Sequence, residues 1–214
     1  QGVTFPVLSK LQGDKEKLAE KYRMMIKTLS FVITPIMLGL SALAYPVVVV
    51  LVGEKWAPCV IFLQVMCFTK CLYPIHSLNV NLLMVSGRSD IYLKLEIQKK
   101  ILGVIMLAVT LPISGMALVW GNLIYSILLL VVNTHYKSKL INVSLFTQLK
   151  DVMPSWLLSF AMFMCVWGYA QLVDNHYVQI GGGFVIGAIV YLVGAYLFRF
   201  KEIDEVKYML NRKK

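Results

Sequence analysis

Long uncharged stretches separate clusters of charged residues along this chain. Thr28–Gly53, Val152–Val173 and Asn175–Phe198 contain no Asp, Glu, Lys or Arg. Trp56–Gly87 contains a single charged residue, Lys70. Because a helix needs about 20 predominantly apolar residues to cross a bilayer, each stretch predicts a membrane-spanning helix.

The longest uncharged stretch, Ile101–Tyr136, is too long for one crossing. Its segment LPISG at 111–115 contains a Pro and a Gly near the midpoint, which predicts a tight turn between two helices. The pattern therefore predicts an all-α fold, a polytopic membrane helical bundle with six transmembrane helices. These are expected at about 25–53, 57–86, 92–112, 115–136, 153–173 and 177–198, followed by an amphipathic cytoplasmic tail at 199–214.

Two segments that precede predicted membrane helices, 17–26 and 144–152, are amphipathic, as is the tail. In the tail, apolar residues recur at helical spacing among charges: Phe200, Ile203, Val206 and Leu210. Helices of this kind lie along the headgroup layer of a membrane. Within the last predicted membrane helix, Gly183 and Gly187 form a G-x-x-x-G pattern, which predicts close packing against another helix.

Composition supports a membrane protein. Hydrophobic residues make up 58% of the 214 residues, charged residues make up 15%, and the mean hydropathy is +0.72. Soluble globular proteins contain about 45–50% apolar and about 25% charged residues. A water-soluble fold of this length could not bury so much apolar surface.

The positions of the positive charges predict the orientation of the helices. With six helices, all of the 21 Lys and Arg residues except Lys55 and Lys70 fall on one side of the membrane. Cytoplasmic loops carry an excess of Lys and Arg, so both ends of the chain are predicted to be cytoplasmic. The net charge of +10 is then explained by topology and by attraction to anionic phospholipids, and it gives no reason to expect a nucleic-acid partner.

The chain begins with QGVTFPVLSK, without an initiator Met or the features of a signal peptide. We therefore expect it to be the C-terminal part of a longer protein. Its missing N-terminal half is an expected partner.

Lys70 is the most informative residue in a predicted membrane core. On a continuous helix, Lys70, Tyr73, Pro74, Ser77 and Asn81 fall within about 60° of one line and form a polar seam, whereas His76 and Asn79 point elsewhere. A charged side chain at the bilayer centre costs about 2.5–3.5 kcal/mol on insertion scales, and such residues usually face a bundle interior or a water-filled cavity. We interpret Lys70, Tyr73, Ser77 and Asn81 as substrate-binding residues of a cavity. The alternatives are that Lys70 snorkels to an interface or makes a structural contact with a neighbouring helix.

The sequence contains few signs of enzymatic chemistry. His76, His135 and His176 lie on separate segments without metal-ligand spacing, so neither a metal site nor a cofactor is expected, and no catalytic residue is proposed. All eleven Asp and Glu residues are placed in loops, helix ends or the tail. Because ion relays usually need intramembrane carboxylates, any coupling carboxylate is expected in the missing N-terminal part.

Three segments resemble the second half of bacterial polysaccharide and O-antigen flippases, in the multidrug/oligosaccharidyl-lipid/polysaccharide exporter superfamily. They are FPVLSKLQGDKEKLAEKY (5–22), PIMLGLSALAYPVVVVLVGEKWAP (35–58) and LNVNLLMVSGRSDIYLKLEI (78–97). Their motifs follow in the order P-x-L-S-K-L, P-x-x-x-G-L, G-E-K-W and G-R-S-D. The resemblance covers about residues 3–160. The last two predicted helices resemble the family only in their general character as membrane helices, without a matching motif.

The resemblance implies a multi-pass protein of the bacterial inner membrane that is a transporter and not an enzyme. Its implied activity is flipping of undecaprenyl-pyrophosphate-linked oligosaccharide by alternating access, for surface polysaccharide or lipopolysaccharide biosynthesis. Lys70 then acquires an anionic partner, the pyrophosphate, and Tyr73, Ser77 and Asn81 offer hydrogen bonds to it or to sugar hydroxyls. At the cytoplasmic end, four cations offer a site that gathers the headgroup, with ordinary positive-inside charge as the alternative interpretation: Arg88, Lys94, Lys99 and Lys100.

Two other classes of protein stay open at the level of sequence. A drug or small-cation exporter of the same superfamily would share the fold, but it would more naturally line its cavity with carboxylates and aromatic residues. A membrane-bound polysaccharide polymerase or glycosyltransferase would need catalytic groups in a sizeable outer loop, and the predicted outer loops have only about five residues each.

Overall fold

The computed structural model describes residues 14–138, 141, 143–200, 202, 203 and 205, with the backbone alone at 135–138. Within this part of the chain the fold is helical and contains no strand, which confirms the predicted all-α class. Of the predicted tail at 199–214, residues 201, 204 and 206–214 lie outside the described residues, as does the P-x-L-S-K-L motif.

The helices follow one another with short connections. In chain order they are α1 (Lys15–Ala42), α2 (Ala44–Val52), a 3-10 helix (Glu54–Cys59), α3 (Val60–Lys70), α4 (Tyr73–Val85), α5 (Ser89–Thr110), α6 (Gly115–Ser138), α7 (Leu145–Leu172) and α8 (His176–Leu197). The predicted turn at LPISG is confirmed between α5 and α6. There Ser114 caps α6, since its Oγ accepts a hydrogen bond from the backbone N–H of Ala117 at 3.0 Å.

The first two predicted helices are both interrupted. The helix expected at 25–53 is α1 followed by α2, with a break at Leu43. The helix expected at 57–86 is the 3-10 helix, α3 and α4, with a break at Cys71 and Leu72. The prediction of one continuous helix through Lys70 is therefore wrong, because α3 ends at that residue.

Four helical segments are long and apolar enough to cross a membrane: α1, Gly115–Thr134 within α6, α7 and α8. The bent pair made by Glu54–Lys70 and Tyr73–Val85 adds a fifth if it is one broken span. Four or five segments of the described residues thus meet these criteria, and the six predicted crossings stay a prediction. α5 does not meet these criteria on its own, because Lys94, Glu96, Lys99 and Lys100 lie along it.

The chain divides into two compact units. The first consists of the described residues up to Ile26 together with Leu72–Val152. In this unit α4, α5 and α6 pack against one another. Their shared core contains the buried side chains of Leu83, Ile91 and Leu95.

The second unit consists of Lys27–Cys71 and the described residues from Met153 onward. In it α2 packs against α3 and α8. Gly53 ends α2 with a φ of 96°, a conformation that favours glycine. Tyr191 lies in the core of this unit and donates a hydrogen bond of 2.7 Å to the backbone carbonyl of Phe31.

The glycines of the predicted G-x-x-x-G pattern are buried in the second unit. A Cβ atom at Gly183 would lie 2.7 Å from Cδ2 of Leu43, and one at Gly187 would lie 3.2 Å from Cγ2 of Val166. The space occupied by these neighbours exists because the glycines have no side chain. The predicted packing role of the pattern is therefore confirmed.

We expect Gly183→Leu to destabilise the protein, because the added side chain would overpack the contact with Leu43, at a cost of about 1–3 kcal/mol. Gly181→Leu is the matched control, since a Cβ at Gly181 meets nothing within 4 Å. The measurement is the thermal unfolding midpoint of the full-length protein in detergent. Equal midpoints for the two variants would contradict the packing role.

Candidate functional site

Lys70 is the last residue of α3 and is exposed. It is in the last helical turn, where the partial negative charge of the carbonyl ends favours a cation. Among the described residues, no carboxylate forms an ion pair with it. The helix end explains how Lys70 can be tolerated locally, while its ammonium group stays available to an anion.

The other three residues of the predicted seam belong to α4 in the first unit, whereas Lys70 belongs to the second. Tyr73 is 53% exposed, and Asn81 is buried. The hydroxyl of Ser77 is half-buried and donates to the carbonyl of Pro74 in its own helix at 3.2 Å. Tyr73 is therefore the most accessible polar residue of this set on α4.

The four cations predicted to gather a headgroup differ in their surroundings. Arg88 donates to both carboxylate oxygens of Asp90, at 3.1 and 3.2 Å, and this pairing raises the pKa of Arg88 and lowers that of Asp90. Lys99 forms an ion pair of 2.9 Å with Glu96. Lys94 and Lys100 are exposed, with no ion pair to a described residue. These two lysines are the cations of the set with the fewest competing partners.

The first unit contains a buried hydrogen-bond network that the sequence pattern does not predict. The hydroxyl of Tyr22 in α1 contacts Oδ1 of Asn79 in α4 and lies 3.0 Å from Oε1 of Gln148 in α7. All three residues are buried. Asn79 was assigned to a face away from the seam, and the structure shows that this face carries the cross-helix polar contacts.

An ion pair lies next to this network along α1 and α7. Arg23 donates to both oxygens of Asp151, with distances of 2.7 Å from Nε and 2.8 Å from Nη2. The side chain of Asp151 is only 5% exposed. Since α7 begins at Leu145, this carboxylate lies in the second turn of the helix, near its start.

The amphipathic segment 144–152 explains why Gln148 and Asp151 were missed. It was expected to lie along the headgroup layer, whereas 145–152 continues directly into the rest of α7. Gln148, Asp151 and Val152 recur at helical spacing and are buried. The same periodicity that suggests a lipid surface also fits a helix that packs against protein.

His76 also takes part in a polar cluster of the first unit. Its Nδ1 lies 3.1 Å from Nδ2 of Asn133, and its Nε2 lies 3.1 Å from Oγ of Ser126. Because the amide nitrogen can only donate, Nδ1 is the acceptor and Nε2 carries the proton. Both ring nitrogens are thus engaged within the protein, and no group of three potential metal ligands occurs in the described residues.

The second unit contains an apolar cavity of about 440 Å³ between α1, α2, α7 and α8. Its lining includes Leu40, Val47, Val166, Gly183 and Phe184. The G-x-x-x-G face of α8 therefore forms part of its wall. The lining offers hydrocarbon contacts and almost no hydrogen-bonding groups, so it suits an apolar chain.

Comparison with known proteins relates the chain to polysaccharide biosynthesis. Residues 1–61 match the family described as "Polysaccharide biosynthesis protein". An uncharacterized membrane protein in the cps region of Klebsiella pneumoniae is 27% identical over 122 residues, which are 57% of this chain and 24% of that protein. The resemblance to polysaccharide biosynthesis proteins is confirmed.

Two further relatives have more specific names. The teichuronic acid biosynthesis protein TuaB of Bacillus subtilis is 23% identical over 178 residues, 83% of this chain and 37% of that protein. The lipopolysaccharide biosynthesis protein WzxC of Escherichia coli is 31% identical over 100 residues, 47% of this chain and 20% of that protein. The matched regions thus span between 20% and 37% of the length of these curated relatives.

A solved structure supports the helical arrangement. The lipid II flippase MurJ, in an inward closed conformation, matches with a TM-score of 0.74 over 92% of this chain and 42% of that chain. The two sequences are 19% identical. The likeness therefore shows a shared fold.

We expect Tyr22→Phe to lower the stability of the full-length protein by about 1 kcal/mol, because Asn79 and Gln148 lose a buried hydrogen-bond partner. Tyr196→Phe is the matched control, since Tyr196 is 78% exposed. The thermal unfolding midpoint in detergent measures the difference. If Tyr22→Phe has the same unfolding midpoint as the wild type, the network does not contribute to stability.

Proposed function

We propose that this chain is the C-terminal part of a transporter that flips undecaprenyl-pyrophosphate-linked oligosaccharide to the outer leaflet of the bacterial inner membrane. The observation that carries the proposal is the sequence match to proteins of polysaccharide biosynthesis, one of which aligns with 83% of this chain. The fold shared with a lipid II flippase supports it. Flipping breaks no covalent bond in the substrate, so the protein needs no catalytic residue for this step.

Lys70 provides the charge that such a substrate requires. An exposed ammonium group with no ion-pair partner in the described residues attracts a pyrophosphate more strongly in a low-dielectric region than in water. Tyr73, Ser77 and Asn81 contribute hydrogen bonds to phosphate or sugar oxygens. Of these three, Tyr73 is the most exposed and makes the first polar contact.

The cytoplasmic cations act before Lys70 in this scheme. Lys94 and Lys100 are exposed and attract the anionic headgroup to the inner face. Arg88 and Lys99 contribute less, because they form ion pairs with Asp90 and Glu96. Anionic phospholipids bind the same positive face. The apolar cavity of the second unit accommodates part of the lipid chain during transport.

The proposed topology has six membrane crossings at the predicted boundaries, with both chain ends in the cytoplasm. It requires α5 to cross as well as the bent pair of α3 and α4. The missing N-terminal half completes the transporter, and the whole protein works by alternating access, the scheme typical of transporters built from repeated helical halves. The end of α5 then reaches the outer face at the LPISG turn.

We expect Lys70→Met in the full-length protein to reduce surface polysaccharide about tenfold or more, because the substrate anion loses its counter-charge. Lys70→Arg should restore most of the export, since it keeps the positive charge. The measurement is cell-surface polysaccharide in cells whose own gene for the protein has been deleted. Lys55→Met, at an exposed lysine of the 3-10 helix, is the matched control.

A different result is expected if Lys70 only stabilises the end of α3 and does not contact the substrate. In that case Lys70→Met would lower the amount of membrane-inserted protein or its unfolding midpoint, and export per molecule would stay normal. Normal export by Lys70→Met at wild-type protein levels would refute the anion contact directly.

The six-crossing topology predicts that Ser89 and Ser114, near the two ends of α5, lie on opposite sides of the membrane. We expect a membrane-impermeant thiol reagent to label Ser114→Cys and not Ser89→Cys in intact spheroplasts. The background is the full-length protein with its native cysteines replaced, and labelling after lysis controls for accessibility. Equal labelling of both positions in intact spheroplasts would show that α5 does not cross.

A further inference from the structure

A second cavity of the second unit, of about 490 Å³, has a polar lining. It lies beside the turn that joins α7 to α8, and its walls also include parts of α1, α2 and α3. Six lining side chains give it its chemical character: Tyr45, Gln64, Trp167, Gln171, Asp174 and His176. The volume is in the range of about 300–1,000 Å³ that is typical of sites for small organic ligands.

Two aromatic side chains of the lining remain accessible. Trp167 and Tyr45 are each 44% exposed. The ring of Tyr45 meets the ring of His176 edge-on, with centroids 5.7 Å apart and an interplanar angle of 75°. Tyr45 therefore contacts His176 with one part of its ring and leaves another part exposed.

The turn beside the cavity is held by Gln179, which is buried. Its Nε2 donates to the backbone carbonyls of Ala170 and Val173, at 2.8 and 2.5 Å. Its Oε1 lies 2.9 Å from Nδ1 of His176, so Nδ1 carries the proton and Nε2 of the same ring is an acceptor. The hydrogen bond to Gln179 therefore holds the imidazole in the wall of the cavity.

Further polar groups of the lining have donors or acceptors that make no hydrogen bond within the described residues. Nε2 of Gln64 donates to the carbonyl of Ser41 at 3.3 Å, and no described residue bonds to its Oε1. Gln171 and Asp174 are exposed, and their side chains form no hydrogen bond with a described residue. The cavity thus combines neutral donors and acceptors with one carboxylate.

We propose that this cavity binds a sugar unit of the transported oligosaccharide, an inference that rests on the proposed function. Aromatic rings stack against the apolar face of a pyranose, while amide, imidazole and carboxylate groups bond to its hydroxyls. No Lys or Arg occurs among the described lining residues, and Asp174 repels phosphate. The cavity accordingly selects the sugar part of the substrate rather than its pyrophosphate.

The proposed topology puts the turn between α7 and α8 at the outer face. The cavity then meets the sugars near the end of transport. Lys70 and this cavity handle different parts of one substrate, the anionic linker and the carbohydrate. We therefore expect substitutions in the cavity to weaken binding of the carbohydrate, and substitutions of Lys70 to leave it unchanged.

The test uses full-length protein in lipid nanodiscs, with the repeat-unit oligosaccharide released from the surface polysaccharide of the same bacterium as probe. Saturation-transfer NMR should detect binding to the wild type. We expect Trp167→Ala and Gln171→Leu each to weaken binding about tenfold, and Trp167→Phe to keep most of it because an aromatic face remains. Trp120→Ala is the matched control, since Trp120 is 48% exposed and lies on α6, outside the cavity.

Four results would overturn the assignment: no binding by the wild type, equal binding by all variants, an equal loss in Trp120→Ala, or displacement of the oligosaccharide by tetramethylammonium. The last would identify a cation site made of Trp167, Tyr45 and Asp174. The proposed function fails separately, if deleting the gene leaves surface polysaccharide unchanged. Lys70→Met should bind the lipid-free oligosaccharide like the wild type, which separates the two assignments.

Discussion

A chain within a membrane must satisfy its polar groups internally, because lipid offers no hydrogen bonds. Helices meet this requirement for the backbone, and polar side chains meet it by bonding across helices. The hydroxyl of Tyr22 contacts the side-chain oxygens of Asn79 and Gln148, and these three residues come from three separate parts of the sequence. The neighbouring pair of Arg23 and Asp151 joins the same two segments, α1 and α7. These contacts therefore connect α1, α4 and α7 within the first unit.

Lys70 is in a different situation from the residues of this network. It ends α3 at the break before α4, it is exposed, and no described carboxylate neutralises it. A cation at a helix end is stabilised by the carbonyl groups of the last turn. The same position leaves its ammonium group free to meet a mobile anion. Structural tolerance and proposed function are therefore compatible at this residue.

The second unit combines close helix contacts with two cavities of opposite character. Gly183 and Gly187 allow Leu43 and Val166 to approach α8, next to an apolar cavity. Beside the turn between α7 and α8, amide, imidazole and aromatic groups line a polar cavity instead. A lipid-linked oligosaccharide has an apolar chain and a hydroxyl-rich head. The two linings match these two chemistries.

Uncharged stretches of the right length determined the all-α class and the approximate positions of the long helices other than α5, because the bilayer sets that length. The turn before Ser114 was equally clear from its Pro and Gly. The break after Lys70 was not, since Cys71 and Leu72 retain helical backbone angles and differ only in how the chain bends. The partners of Tyr22 and Asp151 were also beyond the sequence, because they lie more than 50 residues away along the chain. Periodicity identifies the faces of a helix, and only tertiary packing decides whether a polar face meets lipid headgroups, substrate or another helix.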